Sequence, residues 1–95
     1  MATKVGLLHL NLLIAQAMTL KDKRRIVKSF KDRLANQRNV SVAEVEYQDL
    51  WQRSVLGIVT VNTDRKHADS TLSKALDLVE REGDIQVTGI QTEFL

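Results

Sequence analysis

Two strand–helix–strand patterns follow one another along this chain, at residues 5–48 and 54–94, and they limit the folds it can adopt. The first opens with Val5–Ile14 (VGLLHLNLLI), which has an apolar residue at each even position from 8 to 14, the period of a strand. Its odd positions are mixed, with polar His9 and Asn11. This run therefore predicts a central strand whose second face is neither dry core nor ordinary surface.

The rest of the first pattern predicts a helix and an edge strand. Thr19 and Asp22 have the spacing of an N-terminal cap, just before apolar residues at helical spacing. From residue 40 to 48 the chain then alternates, and the pattern predicts a half-exposed strand. One side of that strand holds Ala43, Val45 and Tyr47, and the predicted solvated side holds Glu44 and Glu46.

The second pattern has the same order. Ser54–Asn62 is apolar at both parities and predicts a second central strand. Asp64 is a suitable N-cap for a second helix, and Gly83 stands where a left-handed C-terminal cap is expected. The β-branched residues of Ile85–Phe94 predict a fourth strand.

The order βαββαβ in 95 residues, without proline or a flexible linker, predicts one α+β domain spanning residues 1–95. We expect a ferredoxin-like split βαβ sandwich, in which a four-stranded antiparallel sheet has both helices on one face. The first and third strands are then central, and the other face of the sheet has no helix over it.

Composition narrows the cellular setting and the chemistry. Cysteine is absent, which excludes disulfides, thiolate nucleophiles and zinc–thiolate sites, and favours a reducing compartment. No segment approaches the ~20 apolar residues of a membrane span, and the N-terminus shows no secretion signal. We therefore expect a cytoplasmic protein.

The first predicted helix concentrates positive charge. Between Thr19 and Arg38 there are eight basic residues against two acids, so this segment carries +6 in a chain whose net charge is only +2. The eight are Lys21, Lys23, Arg24, Arg25, Lys28, Lys31, Arg33 and Arg38. Lys23 falls within the apolar arc, where we expect its stem to reach past the core to water.

Five of these basic residues predict a nucleic-acid contact: Lys21, Arg24, Arg25, Lys28 and Lys31. Most lie at i, i+3 and i+4 spacings, so they form a contiguous ridge that can neutralise phosphates. Several occupy the first two turns, where the helix dipole disfavours positive charge, so local stability does not explain their placement. The alternative is a lysine-rich surface that serves only solubility.

The connection between the two patterns holds the chain's single tryptophan. Trp51 and Arg53 are candidate partner contacts, because an exposed tryptophan at a hairpin tip can stack on a base or anchor a protein. The alternative is that Trp51 folds back over one end of the sheet.

Catalysis is the least supported class of function. The first strand-to-helix loop (Ala15–Met18) has neither the arginine nor the glycine of a phosphate cradle. The central strands have no aromatic residue on which bases could stack in the manner of an RNA-recognition motif. His9 and His67 are far apart in sequence, and a lone strand histidine is usually structural. We expect no enzyme activity, no metal and no cofactor.

Apolar residues left on the uncovered sheet face support a second hypothesis. Large exposed apolar patches are rare in soluble monomers, so two copies stacked sheet to sheet would cover them. Under this second hypothesis, the protein is a homo-oligomeric interaction module with an acidic protein partner.

Three segments of the chain, TLKDKRRIVKSFKDRL, NVSVAEVEYQDLW and SVLGIV, resemble the YlxP-like bacterial proteins, a domain-of-unknown-function family. The resemblance covers nearly the whole chain and implies the ferredoxin-like fold and a bacterial cytoplasmic setting. It also implies genes that often neighbour those for translation initiation and ribosome-binding factors. No activity is implied, but the neighbourhood favours contact with RNA or a ribosomal particle.

Overall fold

A computed structural model describes residues 2–37 and 39–95, so Met1 and the basic residue Arg38 lie outside the described part. Six elements follow in the order βαββαβ. Their bounds are Lys4–Leu13 (β1), Leu20–Gln37 (α1), Ser41–Glu46 (β2), Arg53–Asn62 (β3), Arg65–Glu80 (α2) and Gln86–Phe94 (β4).

The four strands form one antiparallel sheet in the order β2-β3-β1-β4. The two apolar strands β1 and β3 are central and pair along their whole length, from Lys4 opposite Asn62 to Leu13 opposite Arg53. The predicted ferredoxin-like α+β fold is confirmed, including the assignment of β2 and β4 to the edges.

The core lies between the sheet and the two helices. The even-numbered residues of β1 from Gly6 to Leu12 face this core and are buried, as their period predicts. Each helix buries four residues against them: Lys23, Val27, Phe30 and Leu34 of α1, and Ala68, Leu72, Ala75 and Val79 of α2. Both helices therefore lie on one face of the sheet and leave the opposite face open.

Both predicted N-caps are present. The hydroxyl of Thr19 accepts a hydrogen bond from the Asp22 amide at 3.0 Å, and the Asp64 carboxylate accepts one from the Lys66 amide at 2.9 Å. The predicted left-handed cap at Gly83 is wrong. Helix α2 ends at Glu80, its C-cap is Arg81 with φ −76°, and among the described glycines none has a positive φ.

Within the described residues, neither helix is long and apolar enough to cross a membrane.

Candidate nucleic-acid interface

The five predicted contact residues lie along one side of α1. We call them the basic ridge: Lys21, Arg24, Arg25, Lys28 and Lys31. Four of them are exposed, and Lys31 is half-buried beside the core-facing stripe. The ridge faces away from the buried positions of the helix, because its members lie at the intervening positions of the 3.6-residue period. The structure thus brings together the residues that the sequence pattern grouped.

Two ridge residues have acidic neighbours on the same helix. Arg25 lies 3.5 Å from Asp22, and Lys28 lies 3.1 Å from Asp32. The Lys28–Asp32 pair is exposed and the Arg25–Asp22 pair is partly so, and such pairs contribute little free energy, so a phosphate can replace the carboxylate. Within residues 2–37 and 39–95, no carboxylate lies within 4.0 Å of the other three members, Lys21, Arg24 and Lys31.

Lys23 does not belong to this exposed set, and the prediction that its stem reaches water is wrong. Its side chain is 0% exposed, and its Nζ lies 2.5 Å from Oε2 of Glu44. The same ammonium donates a hydrogen bond to the carbonyl oxygen of Tyr47 at 2.8 Å, with that of Gln48 at 3.5 Å. A buried ammonium requires such partners, because transfer of an unpaired charge out of water is strongly unfavourable.

Glu44 completes this network from the edge strand. Its side chain is 14% exposed, and it accepts a hydrogen bond of 2.6 Å from the hydroxyl of buried Ser54 on β3. The prediction that Glu44 shares a solvated side with Glu46 is therefore wrong. A bulge between these two residues changes the register against β3, and only Glu46 is exposed.

The network holds the β2–β3 connection beside the beginning of α1. We call residues 47–53 the aromatic turn. Tyr47 enters it with φ 62°, a left-handed conformation that is uncommon for a tyrosine. Its carbonyl oxygen accepts the bond from Lys23, while the Gln52 amide donates to the carbonyl oxygens of Ala15 and Ala17 at 3.2 Å each. The turn is thus fastened to the first turn of α1 and to the loop before it.

The aromatic turn presents its larger side chains to solvent. Trp51 is 48% exposed, and Tyr47 and Leu50 are also exposed. The Arg53 guanidinium lies 4.9 Å from the centre of the Tyr47 ring, a cation–π distance. The two candidate partner contacts, Trp51 and Arg53, therefore lie at the end of the molecule where the basic ridge begins.

The open face of the sheet has a shallow groove of about 220 Å³ between β1, β2 and β3. Its lining is mostly apolar and includes Leu7, His9, Ala43, Val45, Gly57 and Val59. The absence of a side chain at Gly57 deepens the groove, since a Cβ there would lie 3.2 Å from Cγ1 of Val45. His9 faces this groove from β1.

A second cleft, of about 300 Å³, separates α1 from the end of α2. Arg33 occupies it, donates to both carboxylate oxygens of Glu82 at 3.1 and 3.3 Å, and lies 4.6 Å from the centre of the Phe30 ring. This arginine is committed to a structural pair and does not extend the basic ridge. Within the described ranges, no three His, Cys, Asp or Glu residues cluster as a metal site would require.

Comparison with known proteins assigns the chain to a family. The model of the family described as "Protein of unknown function (DUF503)" matches residues 5–92. The chain belongs to the DUF503 family. It is also similar to the uncharacterized protein YlxP of Bacillus subtilis (strain 168), with 33% identity over 90 residues, which cover 95% of this chain and 98% of the Bacillus protein. The resemblance to YlxP-like proteins is therefore confirmed, and a DUF503 assignment carries no activity with it.

Proposed function

We propose that this protein is a non-enzymatic cytoplasmic accessory protein that binds structured RNA, free or within a ribosomal particle. The basic ridge of α1 contacts phosphates, and the aromatic turn contacts unpaired bases. Phosphate contacts need charge more than exact geometry, whereas bases in loops and bulges stack on aromatic side chains. The ridge offers the first property and the turn offers the second.

One observation carries this proposal: buried Lys23 fastens the aromatic turn beside the N-terminal end of the ridge. A ridge that served only solubility would require no such attachment. A tryptophan that merely covered the sheet would be buried, whereas Trp51 is about half exposed. Positive charge next to exposed aromatic rings is the combination that single-stranded segments of RNA bind.

The phosphate contacts can be tested by charge reversal at two ridge residues without acidic neighbours. The double variant Lys21→Glu/Arg24→Glu should lose most affinity for a labelled ribosomal RNA hairpin and for purified ribosomal subunits. The slope of log affinity against log salt should fall in magnitude by about two, one for each lost phosphate contact. Because an acid at position 21 favours the N-terminal turn, the free energy of unfolding should not decrease.

The matched control places the same charge change on α2. Lys66 and Lys74 are exposed there, and Lys66→Glu/Lys74→Glu should bind RNA more tightly than the ridge variant, with a salt slope close to that of the unaltered protein. Equal losses in both double variants would reduce the proposal to general polyanion affinity. Unchanged binding by the ridge variant would show that α1 is not the interface.

The base contacts have a separate test. Trp51→Ala should weaken binding to a hairpin with an unpaired loop by about tenfold or more, since stacking of one base on an aromatic ring contributes ~1–3 kcal/mol. The salt slope should not change. Leu50→Ala is the control, because Leu50 is an exposed, non-aromatic neighbour in the same turn. Equal effects of the two variants, or none from Trp51→Ala, would contradict base stacking.

The groove on the open sheet face favours a second candidate function. Under this second candidate function, the protein is a homo-oligomeric interaction module. Its copies stack sheet to sheet, and its ridge binds an acidic protein surface. Val45 and Val61 expose apolar surface on that face, as such a contact would need. Val45→Lys would then abolish self-association. The ridge reversals would abolish binding to an acidic protein, and added RNA would not compete for that binding.

A further inference from the structure

The two edges of the sheet differ in how well they are protected against pairing with another strand. Edge strands expose unpaired backbone groups, and proteins guard them by short length, charge, proline or bulges. The β2 edge has six residues, two glutamates and a bulge. The β4 edge has nine residues (QVTGIQTEF), contains neither proline nor lysine, and carries one charge, at Glu93.

The only described irregularity in β4 pairing lies near its beginning. The register against β1 shifts between Asn11 and Leu12, opposite Gly89 and Val87. From Gly89 to Phe94 the pairing is regular, so the outer side of this segment offers an uninterrupted row of backbone donors and acceptors. Nothing in the strand itself turns this row away from a partner.

Ile90 stands at the centre of β4, near the start of its regularly paired segment, and is 49% exposed. It is paired with Leu10, which is fully buried, so it lies on the side of the sheet that carries the helices. Helix α2 packs mainly on β1 and β3, and it reaches β4 less. A large apolar side chain is therefore left half uncovered at the unprotected edge.

We propose that β4 pairs antiparallel with β4 of a second copy of this chain, to form a continuous eight-stranded sheet. The twofold axis is perpendicular to the sheet and passes beside Ile90, so each Ile90 faces its symmetry mate. Closed twofold contacts of this kind join the same patch on both subunits. Backbone hydrogen bonds across the edge and the two isoleucines hold the pair together.

The sequence of β4 fits itself in this register. Regular pairing across the axis runs through Gly89, Ile90 and Gln91. Glu93 of each copy lies beside residues 86–88 of the other β4, which carry no charge, so no two like charges meet. The opposite face of the sheet is less suited to stacking, because His9, Asn11, Gln91 and Glu93 place polar groups across it. In the paired sheet both α1 helices lie on the same side, with the two β2 edges about 34 Å apart.

The oligomeric state tests this interface. The unaltered protein should reach a dimeric mass in sedimentation equilibrium as its concentration rises towards millimolar. Ile90→Lys should remain monomeric with unchanged circular dichroism, whereas Val45→Lys, a matched change at an exposed β-branched residue of the other edge, should still form dimers. A monomer at all concentrations, or a dimer abolished by Val45→Lys and not by Ile90→Lys, would overturn the proposal.

Cross-linking tests the register without depending on the lysine variant. The chain has no cysteine, so Ile90→Cys provides a single thiol in each copy. Directly opposed residues have Cβ atoms ~5 Å apart, close enough for a disulfide after small adjustment. Ile90→Cys should therefore cross-link on mild oxidation. Thr92→Cys should not, since its symmetry mate would lie about 14 Å away along the strands. Equal cross-linking of both variants would show that the edges are not paired in this register.

Discussion

The two strand–helix–strand halves of this molecule bury their helices through the same four positions and yet hold them differently. Counted from the first residue of each helix, Val27 matches Leu72, Phe30 matches Ala75 and Leu34 matches Val79, and every one of these is buried. The first position differs. Lys23 of α1 matches Ala68 of α2, and both are 0% exposed.

This difference shows that two helices with the same buried positions can be held on the sheet by two kinds of contact. In the first half, Lys23 reaches the edge strand through a charged network with Glu44 and Ser54. Helix α2 of the second half has no such network and lies close to the sheet, where a Cβ on Gly6 of β1 would come within 2.9 Å of Leu72. The half with the polar attachment also carries the basic ridge and leads into the aromatic turn.

The largest effect should come from leaving the buried lysine without its carboxylate. Glu44→Gln should lower the free energy of unfolding by about 3–5 kcal/mol, because it leaves Lys23 charged and unpaired in the core. Urea unfolding measures this loss. The double variant Lys23→Met/Glu44→Gln should be more stable than Glu44→Gln alone. If the two changes are simply additive, Lys23 and Glu44 do not stabilise each other, and α1 is not held by a charged network.

The packing of α2 on the central strand β1 should respond to added volume. Gly6→Ala should destabilise the protein by about 1–3 kcal/mol, since the new methyl group must displace Leu72 or Phe94. Gly83→Ala is the control, because a Cβ there meets no atom within 4 Å. Thermal unfolding of both variants gives the comparison, and an equal response would contradict close packing of α2 on β1.

The two N-caps should be the point at which the halves behave alike. Thr19→Ala and Asp64→Ala each remove one side-chain acceptor from a helix N-terminus, and each should lower stability by about 1 kcal/mol. Urea unfolding of the single and double variants checks this, and the double variant should show the sum because the caps do not touch. A much larger loss at Thr19 would mean that its cap also supports the Lys23 network.

The smallest effect should come from the exposed contact between the halves. Arg33→Met should change stability by less than about 1 kcal/mol, because the Arg33–Glu82 pair is partly exposed and the methionine still covers Phe30. Chemical denaturation in low and high salt measures this. An effect as large as that of Glu44→Gln would make the link between the helices as important as the link from α1 to β2.

The periodic parts of the sequence predicted the fold well. The order of elements, the central positions of β1 and β3, and both N-caps follow from residue spacing, and the structure contains them all. The basic ridge could also be predicted, since exposed positions of a helix follow from its apolar stripe.

What could not be predicted depends on contacts between distant residues. The position of Lys23 within the apolar arc was a signal, but its partner Glu44 lies just before a bulge that separates it from Glu46 and that alternation alone does not reveal. The same bulge and the left-handed Tyr47 place the aromatic turn beside α1. Gly83 was misassigned because α2 ends earlier, at an Arg81 C-cap with ordinary helical dihedral angles.

The attachment of the aromatic turn has a consequence for how such a protein can change. Lys23 donates to main-chain oxygens of residues 47 and 48, and Gln52 donates to those of residues 15 and 17, so the identities of the side chains at positions 48–51 do not enter these bonds. New residues at those four positions alter the surface that the turn presents and leave its anchorage intact. The shape and charge of the turn can therefore diverge between relatives, or be varied in a library, while the scaffold beneath it stays the same.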